Sequence, residues 1–102
     1  MKKTQETLRT KDNTKTAVLY IAFELSHRKW KLAFSNGEKM RTVSIEARNL
    51  KQLQEEISKA KKRFRMDKGL RVVSCYEAGR DGFWLHRYLL SCGIDNVVVD
   101  SA

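Results

Sequence analysis

Ala17-Val18-Leu19-Tyr20-Ile21-Ala22-Phe23 is an unbroken apolar run that stops at Glu24. It is too short for a core helix, and it has no polar residue to alternate with an apolar one. It therefore reads as a buried strand, covered on both faces. Working outward from it, Trp30, Leu32 and Phe34 alternate with Lys29, Lys31 and Ala33, the pattern of a half-buried strand. Ser35-Asn36-Gly37-Glu38 follows, and Asn-Gly between alternating segments predicts a hairpin closed by a type I′ turn. Beyond it Arg41, Val43 and Ile45 alternate with Met40, Thr42 and Ser44.

The period then changes. Asn49 with Gln52 has the spacing of a capping box, and Leu50, Leu53, Ile57, Ala60 and Phe64 share one helical face. Lys51, Glu55, Lys59, Lys62 and Arg63 lie opposite, with Glu55 and Lys59 at the supportive i,i+4 spacing. A turn is expected at Asp67-Lys68-Gly69, and Leu70–Tyr76 is a second strand of the buried type. Asp81 is placed to cap a helix over Phe83, Trp84, Leu85, Tyr88 and Leu89, which Gly93 ends. Val97-Val98-Val99 is a last short buried strand. The order β-β-β-α-β-α-β predicts a mixed α/β sheet, with an antiparallel meander followed by helix-linked parallel strands. Strand order 3-2-1-4-5 satisfies these rules and is the core of an RNase H-like fold, although other α/β folds share the string.

The totals bound the possible partners. The chain has 102 residues, one small domain, with 21 Lys and Arg against 12 acids and a net charge of +9. Such an excess favours a polyanion, nucleic acid first, against the plainer alternative of solubility alone. The tail, residues 1–16, holds five basic and two acidic residues and little to bury, and reads as a flexible basic arm. It lacks the apolar core of a signal peptide, and no run approaches the roughly 18 residues of a membrane helix, so a cytoplasmic protein with no membrane partner is expected. Cys75 and Cys92 lack zinc-ligand spacing and are expected to be reduced, buried thiols.

Two carboxylates occupy special places. Glu24 follows the first buried strand immediately and Glu77 follows the fourth, so parallel neighbours would bring both to the carboxyl-end edge where open α/β sheets bind ligands. Asp100, ending the fifth strand, is a further candidate there. Carboxylates at that edge suit Mg2+, a hard cation that keeps waters and substrate phosphates. Two such ions about 3.5–4 Å apart can activate water and stabilise the leaving oxygen in phosphodiester cleavage. The alternative is that these are solvated strand-end acids. Lys59, Lys61, Lys62, Arg63 and Arg65 form the densest basic run, either a phosphate-contacting surface or a solvated helix face. His27 and His86 stand alone, as surface or packing histidines, and Trp30, Phe34, Phe83 and Trp84 fall at core spacing.

Leu19-Tyr20-Ile21-Ala22-Phe23-Glu24-Leu25-Ser26, with Trp30-Lys31-Leu32-Ala33-Phe34 after it, resembles the opening strands of the RuvC-like DEDD insertion-sequence transposases, the bridge-RNA-guided recombinases. Ser74-Cys75-Tyr76-Glu77-Ala78-Gly79-Arg80-Asp81-Gly82-Phe83-Trp84-Leu85-His86-Arg87 resembles that family's second acidic motif, and Asp95 to Ala102 the strand after it. The resemblance covers residues 17–102. It implies that Glu24 and Glu77 stand at the first two of four metal-holding acids, Glu24 in place of the usual aspartate and one methylene longer. The family's two remaining aspartates, and a separate domain with a serine nucleophile, lie beyond the last strand. The expectation is the amino-terminal part of a transposase domain that cuts and joins DNA under guide-RNA direction, inactive by itself and holding Mg2+ weakly or not at all. The competing expectation is a non-catalytic remnant that binds nucleic acid or self-associates as a homodimer.

Overall fold

The computed structural model describes residues 17–64, 70–79 and 82–100. Its elements are β1 (Val18–Leu25), β2 (Lys29–Ser35), β3 (Met40–Glu46), α1 (Leu50–Arg63), β4 (Arg71–Glu77), α2 (Trp84–Ser91) and β5 (Asp95–Val99). They build one five-stranded sheet in the order β3-β2-β1-β4-β5. The β1–β2 and β2–β3 pairs are antiparallel, and the β1–β4 and β4–β5 pairs are parallel. The architecture is the one that the periodicities predict.

Local chemistry fixes the element ends. The Asn49 carboxamide accepts the Gln52 N–H at 2.9 Å and caps α1. The Gln52 side chain does not close the box on Asn49; it accepts the N–H of Glu46 at 3.1 Å, tying the helix start to the end of β3. Lys59 pairs with Glu56 at 3.4 Å, and not with Glu55. Glu56 also holds Arg41 at 3.3 Å, so α1 is clamped onto β3. At the end of α2, Gly93 has φ +81, and the N–H groups of Gly93 and Ile94 reach back to the carbonyls of Leu90 and Leu89. That is a Schellman motif, with buried Ile94 as its apolar lock. The β2–β3 turn differs from expectation. Only Gly37 has positive φ, so no type I′ turn forms; the loop spans four residues, and the Asn36 side chain accepts the N–H groups of Glu38 and Lys39.

Both helical connections advance the same way along the sheet, and the right-handed rule then puts both helices on one face. The core lies there: Leu19, Ile21, Phe23, Trp30, Leu32, Phe34 and Ile45 of the sheet meet Leu53, Ile57 and Ala60 of α1 and Leu85 and Leu89 of α2. The second face has no layer over it among the described residues. Strands expected to be buried on both sides therefore alternate instead. Leu19, Ile21 and Phe23 are buried, whereas Tyr20, Ala22 and Glu24 are exposed, and Val97 of β5 is 56% exposed. Two further expectations are corrected. Phe83, at the N-cap position of α2 and off its packed face, is exposed, and so is Cys92, while Cys75 is half-buried. The tail of residues 1–16, the Asp67–Gly69 turn and Asp81 lie outside the described residues.

Candidate functional site

The parallel register of β1 and β4 runs from Val18 opposite Arg71 to Phe23 opposite Tyr76. One residue further on, it sets Glu24 beside Glu77, on backbones about 4.8 Å apart. Both are exposed and lie on the uncovered face. Together with Phe23, Leu25, Ala78 and Gly79 they line an open cleft of about 380 Å³ at the carboxyl edge of the sheet. The two acids that sequence position singled out are thus brought together. Asp100 follows β5 at the same edge, but among the described residues no three His, Cys, Asp or Glu side chains gather closely enough to hold a metal.

The row along this edge continues across the sheet. β2 sets Lys31 opposite Glu24, β3 sets Ser44 opposite Lys31, and β5 sets Val99 opposite Glu77. Lys31 Nζ lies 3.8 Å from Glu24 Oε1. The order is neutral, positive, negative, negative, neutral, a net charge of −1. Carboxylate oxygens of this kind fit a hard divalent cation, which commonly takes one or two carboxylates and leaves its other positions to water and phosphate.

Beneath the cleft the covered face carries a polar network that sequence reading missed. Tyr76, next to Glu77, donates its hydroxyl proton to the carbonyl of Gly82 at 2.8 Å and accepts the N–H of His86 at 3.1 Å. His86 is the third residue of α2, so its N–H is one of the donors that a helix start leaves open. Phe83 at the N-cap position makes no side-chain capping bond, and Tyr76 supplies one from the neighbouring strand. His86 is also not isolated. Its Nδ1 lies 2.9 Å from Asn96 Nδ2, and Asn96 Oδ1 accepts from Ser74 Oγ at 2.6 Å, with Ser74 and Asn96 both buried. The register partners Ser74 and Asn96 were the available signal, but it emerges only once β4 and β5 are known to pair.

The basic run lies elsewhere. Lys59, Lys61, Lys62 and Arg63 occupy the last turns of α1, and Arg65 lies outside the described residues. α1 leaves the acid-bearing edge after β3 and returns the chain to the start of β4, so these cations sit at the opposite edge. For a helix of this length the separation is roughly 20 Å. The fold does not bring the basic run and the acid pair together. The last-turn cations also complement the negative end of the helix dipole, a structural use that requires no ligand.

A mixed α/β domain of this order, with acids at the carboxyl ends of two parallel strands, has the arrangement of an RNase H-like core. Among proteins of known sequence, the chain is 35% identical over 89 residues, 82% of its length, to the Sinorhizobium fredii protein named "Putative transposase y4rJ". The chain spans about 22% of that protein's length. No family model matches the chain, and no solved structure matches it. No helix among the described residues is long and apolar enough to cross a membrane.

Proposed function

We propose that these residues are the amino-terminal part of a RuvC-like DEDD transposase domain that works on DNA in the cytoplasm, with Glu24 and Glu77 as two of its metal-holding acids. The observation that carries this reading is the meeting of the two glutamates in one cleft, in a chain similar over most of its length to a protein named as a transposase. Bound Mg2+ would supply Lewis acidity for phosphodiester cleavage. The residues of this chain have separate tasks. Glu24 and Glu77 present oxygen ligands, Lys31 balances one of their charges, and Phe23 and Leu25 form the apolar wall of the cleft. Two carboxylates are a minimal set for an ion that dehydrates reluctantly, so these residues alone are expected to bind it weakly and to cut nothing. The surplus of basic residues supports contact with DNA backbone, and the guide-RNA function of the resembling family extends the same reading to RNA.

The test is an amide NMR titration with Mg2+ on the wild type and on Glu24→Ala/Glu77→Ala. Shifts at Leu25, Ala78 and Gly79 that vanish in the double variant support the reading. No shift at millimolar metal shows that Glu24 and Glu77 do not hold an ion by themselves, and it removes them as a metal pair in these residues.

One observation favours a second reading, a non-catalytic module that self-associates: the uncovered sheet face with Tyr20, Val97 and Val99 exposed. Sedimentation of the wild type against Val97→Lys separates the two readings. A dimer that Val97→Lys dissolves supports the module, and a monomer in both rejects it.

A further inference from the structure

Lys31 is the cation that faces the acid pair, and its surroundings leave it one acidic neighbour across the strands. On its β3 side it meets Ser44, which is neutral, and on its β1 side Glu24. Lys29, one turn of the pleat away on the same face, is already held by Glu46 at 2.6 Å. Glu24 in turn stands between Lys31 and Glu77. A second carboxylate on the adjacent strand raises the local negative potential, and Lys31 is the group that offsets it. The pair is well exposed, with 57% of the Lys31 side chain and 78% of the Glu24 side chain open to solvent, so solvent screens it and it can open at little cost. The extra methylene of glutamate lengthens the reach of this carboxylate along the row toward the lysine.

From this juxtaposition we infer that Lys31 is the resident counter-ion of the cleft, a positioning residue that a divalent cation displaces from Glu24 and whose positive charge lowers the affinity for that cation. The inference rests on the metal reading of Glu24 and Glu77. Lys31 holds the Glu24 carboxylate toward β2 when no cation is present. When a divalent ion enters, the row changes from a net −1 to +1, and the ammonium, released from Glu24, remains beside the cleft on the uncovered face. A site that changes sign in this way repels phosphate before the ion enters and attracts it afterwards.

The experiment uses Mn2+, whose paramagnetism broadens amide signals near it, on the wild type, Lys31→Gln and Lys31→Arg at low ionic strength. Removing one positive charge beside a divalent ion, with partial salt screening, is expected to lower the Mn2+ concentration for half-broadening of Leu25 and Ala78 by about three- to ten-fold. Lys31→Arg, which keeps the charge, should titrate like the wild type. A purely structural role for Lys31 would not move this midpoint toward tighter binding. An unchanged or weakened midpoint in Lys31→Gln, with localised broadening still present, overturns the inference and leaves the metal reading standing. Absence of localised broadening in all three chains at millimolar Mn2+ removes the metal reading and the inference with it.

Discussion

Tyr76→Phe removes one oxygen atom from this protein and, by the geometry of the β4–α2 junction, unfastens the loop that brings Ala78 and Gly79 to the cleft. Among the described residues, the phenol donates to the Gly82 carbonyl and accepts the His86 N–H. Its ring, 2% exposed, packs edge-on against Phe23 with centroids 6.4 Å apart, and phenylalanine would keep that packing. The substitution therefore opens no sizeable cavity, and its cost is that of polar groups left unsatisfied. Losing an N-cap bond costs about 0.5–2 kcal/mol, and a neutral hydrogen bond about 1 kcal/mol more, reduced because both contacts are only partly buried and water can replace some of the loss. The expected net loss is about 1.5 kcal/mol. In a domain of this size that lowers Tm by about 6–12 °C. Urea unfolding monitored by tryptophan fluorescence measures it, with an unchanged m-value as the sign that the denatured state is unaltered. Amide exchange provides the local readout, since faster exchange at His86 is expected while the β1–β2 ladder stays protected. A stability loss below about 0.3 kcal/mol, with His86 exchanging as in the wild type, would refute the cap.

Two other outcomes follow from burial and backbone geometry. Burial raises the Tyr88 phenol above its ordinary value, against the hydrogen bond from Gln54, which lowers it; the folded chain therefore keeps a proton that the unfolded chain loses, and stability should fall as pH rises beyond about 10, with a smaller fall in Tyr88→Phe. Gly93→Ala places a Cβ at φ +81, where no neighbouring atom obstructs it, so its cost of about 1–2 kcal/mol by urea unfolding is purely that of the left-handed backbone.

The fold was legible because its two periods are clean. The helical spacing of Leu53, Ile57 and Ala60, and the alternation of Trp30, Leu32 and Phe34, each name a buried face, and all six residues are buried. Burial on the second sheet face was misread for a physical reason. Ala17–Phe23 contains nothing polar, and an apolar run cannot report which of its residues has a partner layer; Tyr20 and Ala22 lie exposed beside Leu19 and Ile21. Asn36-Gly37 likewise carried the right hairpin and the wrong turn, because the asparagine side chain satisfies the loop amides and relieves its backbone of the need for positive φ. Helix capping shows the same limit from the other side. The oxygen at the His86 N–H belongs to Tyr76 on the preceding strand, and no spacing along the chain announces that partner.

The candidate site was half legible, and the division falls between position and register. That Glu24 and Glu77 end parallel strands follows from counting along the chain, and counting is enough to send both to one edge. What surrounds them is decided by cross-strand register, which a run of apolar residues leaves free to slip by two. Register puts Lys31 opposite Glu24 and a neutral serine behind it; a slip of two residues in β2 would set Lys29 or Ala33 there instead. Register is fixed by the tie between the Ser26 N–H and the Lys29 carbonyl at the β1–β2 turn, and by the packing of Trp30 against Phe23 and Trp84. The charge row at the cleft is therefore a consequence of core packing on the other face of the same strand. A substitution that shifts Trp30 would alter the electrostatics of the acid pair without touching either glutamate.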